Sequence, residues 1–349
     1  MTKKSEKKNP QTDGFTTLNG ERYYRIAGYD RMEPFFMSVP SDTDLWMFVS
    51  SRGGLTAGRV DADRSLFPYE TVDKLHDAHH HSGPVTLVRA GRSKPWQPFS
   101  ARQGQSGDFE RSLYKNTTCN RLVFEETNNE LALRFRYRWS ACDEFGIVRT
   151  ATLDNLGANA IDVSLLDGLR NVLPYGARLS LHQQSSSLID AYRRVDLDAA
   201  SGLAVFSLSA AIIDRAEAAE MLRANTVWCR GLEEYDIHLA IETIDAFRAG
   251  EALPSEDVLT GRRGNFLVTS SFSIPGGGSR EWHIVADAGK SHIDIAALIA
   301  KLTADKDITG SLTQGLETAR DNLRNNVGSA DGIQVTGNET TAVHHFANV

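Results

Sequence analysis

Leu131, Leu133, Phe135, Tyr137 and Trp139 alternate with Ala132, Arg134, Arg136 and Arg138. A period of two sends the apolar set to one face of a strand and the arginines to the other. The segment is a half-buried antiparallel strand with its aromatic side in a core. Strand-like runs recur at 22–27, 44–50, 85–89, 109–114, 121–125, 147–153, 161–166, 188–193, 203–208, 226–229, 266–272 and 281–286. Turn residues separate them, among them Asn128 with Asn129, Asn155 with Gly157, and the glycines 276–278. So many strands without regular helices between them favour a sandwich of antiparallel sheets over a parallel α/β fold.

The last sixty residues change period. Ile293, Ile295, Leu298, Ile299 and Leu302 recur at helical spacing, as do Ile308, Leu312, Leu316, Ala319, Leu323 and Val327. They predict two amphipathic helices, over 291–303 and 308–327. Their apolar stripes need a surface to dock on, which makes a homodimer one expectation. A shorter helix is predicted at 242–249, closed by Gly250. The polar, lysine-rich residues 1–14 have no apolar side chains to bury and are expected to be disordered. The predicted architecture is therefore mainly β: a disordered tail (1–14), a large antiparallel β-supersandwich (15–290) and a helical linker (291–349). The sequence stops at Val349 without a polar tail. That is read as a cut inside a longer protein, against the alternative of a docked final segment.

A chain of 349 residues can bury about 75% of its unfolded surface without metal or disulfide staples. The three cysteines, Cys119, Cys142 and Cys229, match no zinc or redox spacing. A net charge of −7 argues against a general nucleic-acid or acidic-membrane binder. No apolar run approaches the ~20 residues of a membrane helix, and no signal-peptide core opens the chain. A cytoplasmic protein is the expectation.

Several motifs carry a chemical reading beside a plainer one. The stretch 51–59 is glycine-rich and follows a strand, but no Lys-Ser/Thr and no helix follows it. It is read as a tight turn rather than a phosphate loop. His76, His79, His80 and His81 cluster near Asp73 and Asp77. Imidazoles at that density suit transition metals, yet carboxylate or thiolate support is thin, and a solvated loop or helix end is the expected reading. Trp96 lies between Pro95 and Pro98. Prolines stiffen a loop, and a rigid exposed indole is a stacking platform for a sugar ring; the competing reading is a tryptophan that anchors the loop to the core. Arg134, Arg136 and Arg138, and the pair Arg262 and Arg263, read as solvated faces or intersheet ion pairs, with a phosphate contact as the minority reading. Trp96, with Arg59 at the end of the glycine-rich turn, is a candidate substrate-binding residue.

No catalytic constellation stands out. Glycoside hydrolysis needs two carboxylates across the scissile bond. Neighbours such as Glu125 and Glu126 point to opposite strand faces and suit it poorly. A sandwich epimerase would need a histidine acid and a carboxylate base facing one sugar. His182 or His238 with Glu233 or Glu281 could supply them, but nothing selects these residues. No Gly-x-Ser-x-Gly elbow and no His-Glu-x-x-His occurs.

Six stretches resemble the N-terminal region of cellobiose phosphorylase-like proteins, related to glycoside hydrolase family 94. They are GLTAGR at 54–59, SLFPYETVD at 65–73, LDGLRNVLP at 166–174, GRRG at 261–264, EWHIVAD at 281–287 and ADGIQ at 330–334. The resemblance implies a galactose mutarotase-like β-supersandwich, then linker helices, then an (α/α) barrel. In such proteins the general acid and the phosphate site lie mainly in the barrel, so no catalytic residue carries over to this chain. It implies a non-catalytic sandwich domain of a carbohydrate-active enzyme, with sugar binding possible and no cofactor. Inorganic phosphate would be the parent enzyme's co-substrate, and the barrel this domain's partner. A self-sufficient epimerase or lyase, and a glycan-binding module, are the alternatives.

Overall fold

The computed structural model describes residues 13–91, 94–100, 108–213, 220–304 and 307–330. The expected disorder of residues 1–12 and the final segment 341–349 lie outside them. Among the described residues the chain runs β1 (Gly14–Leu18), β2 (Glu21–Ala27), β3 (Phe36–Ser38), β4 (Leu45–Ser50), β5 (Leu55–Arg59), α1 (Val72–Ala78) and β6 (Gly83–Ala90). It continues through β7 (Phe109–Asn116), β8 (Leu122–Asn128), β9 (Leu133–Cys142), β10 (Gly146–Asn155), β11 (Ile161–Arg170), α2 (Leu179–Gln184) and α3 (Ser186–Tyr192). Then follow β12 (Arg193–Asp198), β13 (Leu203–Leu208), β14 (Arg223–Arg230), β15 (Asp236–His238), α4 (Glu242–Ala249), β16 (Val258–Thr260) and β17 (Phe266–Ile274). The last elements are β18 (Ser279–Ser291), α5 (His292–Ala304) and α6 (Ile308–Ala330).

The protein is mainly β. Eleven strands form one sheet in the order β1-β2-β7-β8-β9-β10-β18-β14-β13-β12-β16. A four-stranded sheet, β15-β17-β11-β6, packs on its inner face, and β3-β4-β5 forms a third, small sheet. All named pairings are antiparallel. The alternation in β9 is realised: Leu133, Phe135, Tyr137 and Trp139 enter the core between the sheets, with Val163, Leu165 and Val268 opposite. The outer face of the smaller sheet is covered by α4, whose Ile244 and Phe247 pack on Leu87, Leu166 and Leu267.

The two C-terminal helices dock on the outer face of the large sheet. Leu302, Ile308, Leu312, Leu316 and Ala319 pack against Val148, Trp228 and Val285. The stripes expected to need a partner surface thus find one within the chain. Among the described residues no helix is long and apolar enough to cross a membrane.

Four local expectations are corrected. The run 188–193 is not a strand: α3 occupies 186–192, because Leu188, Ile189 and Tyr192 follow helical spacing behind a serine-rich start and only Ile189 is fully buried. The first strand begins at Gly14, inside the predicted tail. Leu131 precedes β9 instead of opening it. The end of the glycine-rich stretch is β5 rather than turn. Gly58 is required there, since a Cβ would lie 2.4 Å from the Arg64 carbonyl oxygen and 2.8 Å from the Ser65 Cα.

Candidate functional site

The helices cover only part of the outer face of the large sheet. Where they stop, a groove of about 610 Å³ opens over β8, β9, β10 and β18. Strand register arranges the sheet face beneath it in rows, of which all but Glu125, Thr127 and Arg134 line the groove. Val123, Arg138, Thr150 and His283 form one row across four strands; Glu125, Arg136, Thr152 and Glu281 form the next; Thr127, Arg134, Asp154 and Ser279 the third. Adjacent strands lie about 4.8 Å apart, so apart from Val123 each row presents polar groups at near-sugar spacing. The β1–β2 turn forms one wall and α6, through Thr313, Glu317 and Arg320, the other.

Most charges in the groove are matched. Asp154 Oδ2 accepts from Arg134 Nε at 2.8 Å and from Arg136 Nη2 at 2.9 Å. Arg121 donates to Glu21 and to Glu317, each at 2.8 Å, tying the two walls together. Burial opposes ionisation of Glu21, but Arg121 and hydrogen bonds from Asn116 and Tyr23 outweigh it and hold the carboxyl below its ordinary range. Arg320 pairs with Glu317. Arg138 differs: its Nε is buried without a hydrogen-bond partner, and no carboxylate pairs with it among the described residues.

His283 lies in the floor, 5% exposed. Its Nδ1 is 3.1 Å from Thr150 Oγ1, and its Nε2 is 3.8 Å from Glu281 Oε1. Burial pushes the imidazole below its usual range, so it is neutral at pH 7. Thr152 Oγ1 donates to Glu281 Oε2 at 3.4 Å. Sequence reasoning named Glu281 but missed His283, two residues along the same strand. Period two alone places both on one face.

The other predicted residues lie elsewhere. Trp96 is 2% exposed, and its indole donates to Glu126 Oε1 at 2.7 Å. Glu126 also accepts from the Phe99 amide at 2.7 Å and from Arg111 Nε at 2.6 Å. Trp96 is therefore a loop anchor and offers no stacking face. Arg59 is clamped by Asp287 at 2.7 Å, Asp44 at 2.7 Å and Asp143 at 3.2 Å. Burial would lower its pKa, but the carboxylates, Asp287 foremost, raise it. It ties the small sheet to β18.

His238 has both ring nitrogens engaged, one with the Pro254 carbonyl at 2.6 Å and one with Thr269 Oγ1 at 2.8 Å. His182, on α2, and Glu233, exposed and paired with Arg280, do not enter the groove. Arg134 and Arg136 make ion pairs within their own sheet rather than between sheets. Arg262 and Arg263 pair at the surface with Glu242 and Asp190. His76 Nδ1 lies 2.8 Å from Ser50 Oγ, and the His79 and His80 rings lie 3.9 Å apart just past the end of α1. Among the described residues no group of three His, Cys, Asp or Glu side chains is placed to hold a metal.

No protein-family model matches the chain, and no curated protein does. Among solved structures it is similar to a bacterial glucoamylase complexed with acarbose, at 11% identity and a TM-score of 0.44, over 83% of this chain and 36% of that one. It is also similar to a putative aldose 1-epimerase from Klebsiella pneumoniae subsp. pneumoniae, at 10% identity and a TM-score of 0.35, over 82% of this chain and 90% of that one. A putative kojibiose phosphorylase from human microbiome gives 8% identity and a TM-score of 0.30, over 94% of this chain and 31% of that one. The chain thus spans about a third of the glucoamylase and of the phosphorylase, and most of the epimerase. Identities this low with TM-scores below 0.5 say nothing about activity.

Proposed function

We propose that this chain is the sugar-binding, non-catalytic body of a carbohydrate-active enzyme of the glycoside phosphorylase or hydrolase kind. The observation that carries the reading is the outer groove: rows of fixed donors and acceptors across β9, β10 and β18, with the Arg138 guanidinium left without a carboxylate among the described residues. Saccharide hydroxyls are recognised by such pre-paired polar side chains, because each hydroxyl both donates and accepts. The groove is large enough for more than one sugar ring. Asp154, Glu21 and Glu317 are already committed to arginines, which suits holding a ligand better than donating a proton. In this reading bond cleavage belongs to a helical barrel partner, with inorganic phosphate as its co-substrate.

Calorimetric titration with cello-oligosaccharides tests it. Saturable binding that Arg138→Ala and Glu281→Gln both weaken is expected, with no phosphate consumed from cellobiose mixtures. Tryptophan fluorescence is a poor probe, since no tryptophan lines the groove. Silence up to millimolar saccharide, or turnover by the pure chain, overturns the reading.

A second reading rests on the His283–Glu281 approach. A neutral imidazole beside a carboxylate on a groove floor can move a proton to and from a sugar's anomeric hydroxyl, as mutarotation requires. Polarimetry on freshly dissolved glucose or galactose decides it: catalysed interconversion lost in His283→Asn supports it, and an uncatalysed rate in the wild-type chain removes it.

A further inference from the structure

A second cleft lies on the inner side of the large sheet, where the end of α1 meets β6, β10 and β11. Its volume is about 250 Å³. Arg52, Arg149, Arg170 and Arg248 line it, with His79 and His80. No Asp or Glu lines it among the described residues. In a protein of net charge −7 such a concentration of guanidinium groups is not a compositional accident.

The counter-charges are set back from the cavity or absent. Arg149 is fully buried and donates to Asp167 Oδ2 at 2.6 Å, a carboxylate that also accepts from Thr86 and Trp282. Arg52 and Arg248 pair outwards with Asp77 and Asp245, both largely solvent-exposed. Arg170 has no carboxylate at all among the described residues. It is 9% exposed and donates to the backbone carbonyls of His79 at 2.7 Å, His80 at 2.9 Å and Pro84 at 3.2 Å. The Nε of Arg149 and the Nε of Arg170 are both buried without a partner among the described residues. A buried guanidinium with no anion is costly to maintain, and two orphaned donors at one cavity call for an acceptor with several oxygens. Burial and the nearby Arg248 lower the pKa of Arg170 to about 10, which leaves it charged at neutral pH.

We propose that this cleft binds a phosphoryl group, free or carried as a small monoester, which supplies the counter-charge that Arg170 lacks. A phosphoryl group offers three strong acceptor oxygens, and guanidinium forks match them in pairs. Planar carboxylates fit fewer of the donors. A cavity of about 350 Å³ adjoins the cleft and shares Arg52, His79, His80 and Phe99 with it, so an ester's organic part has room beside its phosphoryl group. His79 Nδ1 lies 2.9 Å from the His76 carbonyl oxygen and donates to it. That leaves Nε2 of the neutral ring as an acceptor for a ligand hydroxyl. The cleft and the sugar groove lie on opposite faces of the large sheet, so either proposal can fail without the other.

The test is calorimetric titration of the full chain at fixed ionic strength with inorganic phosphate, glucose 1-phosphate, glucuronate and chloride. Saturable binding of phosphate or of the ester is expected, absent with chloride. Arg52→Ala and Arg248→Ala each remove a half-exposed rim cation and should weaken it about tenfold, the worth of one charge-assisted hydrogen bond. Arg170→Gln should abolish it; should that variant fail to fold, the two rim variants decide the matter. Equal affinity for phosphate and ester identifies the free anion as the ligand, and tighter ester binding identifies the monoester. The proposal is overturned by no saturable binding of either, by preferential binding of glucuronate, or by affinity unchanged in both rim variants.

Discussion

Asp167 is where charge joins the two sheets. It projects from β11 into the core and accepts from Thr86 of β6, Arg149 of β10 and Trp282 of β18, each at 2.6 Å. Asp167→Ala strands a fully buried guanidinium and should cost about 3–5 kcal/mol of stability. Replacing both charges, as in Asp167→Leu with Arg149→Met, should recover most of that loss. Urea unfolding of the two variants beside the unaltered chain reads both effects, and a single-variant loss below about 1 kcal/mol would mean that water already reaches the pair. Such a residue was not legible in the sequence: Arg149 stands among apolar neighbours with nothing to mark its partner. Trp96 shows the same limit. Its flanking prolines were visible, but its burial depends on Glu126, thirty residues away. At the same scale, burial lowers the pKa of His79 to about 4, and His80, Arg52 and Arg170 nearby add to the shift. The unfolded chain therefore binds the proton first as pH falls below about 6.5, and the stability tied to the neutral ring is lost between there and about 4. His76, His81, His182 and His283 shift the same way. Unfolding midpoints measured across that window should fall, and less steeply in His79→Asn; equal slopes would show that His79 titrates normally.

Elements were readable wherever one face is apolar and the other is not. The strand β9 and the helix α4 follow from period alone. Elements that depend on distant partners were not. Gly58 makes β5 look like a turn, and only its close approach to the Arg64 carbonyl and Ser65 explains why a strand needs glycine there. The run before Arg193 has β-prone residues, yet it is held as α3, with Ile189 packed on Leu173 and Leu208. The stripe of α6 was plain, but its docking surface was not. That surface is the outer face of the same sheet that carries the groove, so α6 both seals apolar strand residues and forms the groove wall. Leu312 is fully buried there. Leu312→Ala should cost about 2–5 kcal/mol and, by loosening the wall that holds Glu317 and Arg320, should weaken saccharide binding as well. An unchanged unfolding midpoint would show that α6 does not rest on this sheet in solution.

At the scale of the whole molecule, β18 decides whether there is one body or two. It is the long central strand that pairs with β10 on one side and β14 on the other. It thereby joins the strands formed early in the chain to β12, β13, β14 and β16. That pairing is extremely non-local: Thr150 and His283 sit side by side although 133 positions apart. The sequence displayed the strands and their faces, and with them the mainly β class. It did not display the order of strands, because register between remote segments leaves no local trace. If the sheet is one cooperative unit, amide exchange should be slowest in β10 and β18 and rise smoothly towards β1 and β16, which have no further strand beside them among the described residues. Folding should be slow, on the order of milliseconds to seconds, since long loops must close before β18 can pair. Exchange resolved by mass spectrometry separates the possibilities. A smooth gradient on both sides of β18 means that the groove floor, which crosses the β10–β18 seam, is held rigid by the whole sheet. An abrupt break at that seam, with β12, β13, β14 and β16 exchanging together and much faster, would mean that Thr150 and His283 belong to separately opening halves, and the rows of donors and acceptors would then not be pre-formed for a sugar.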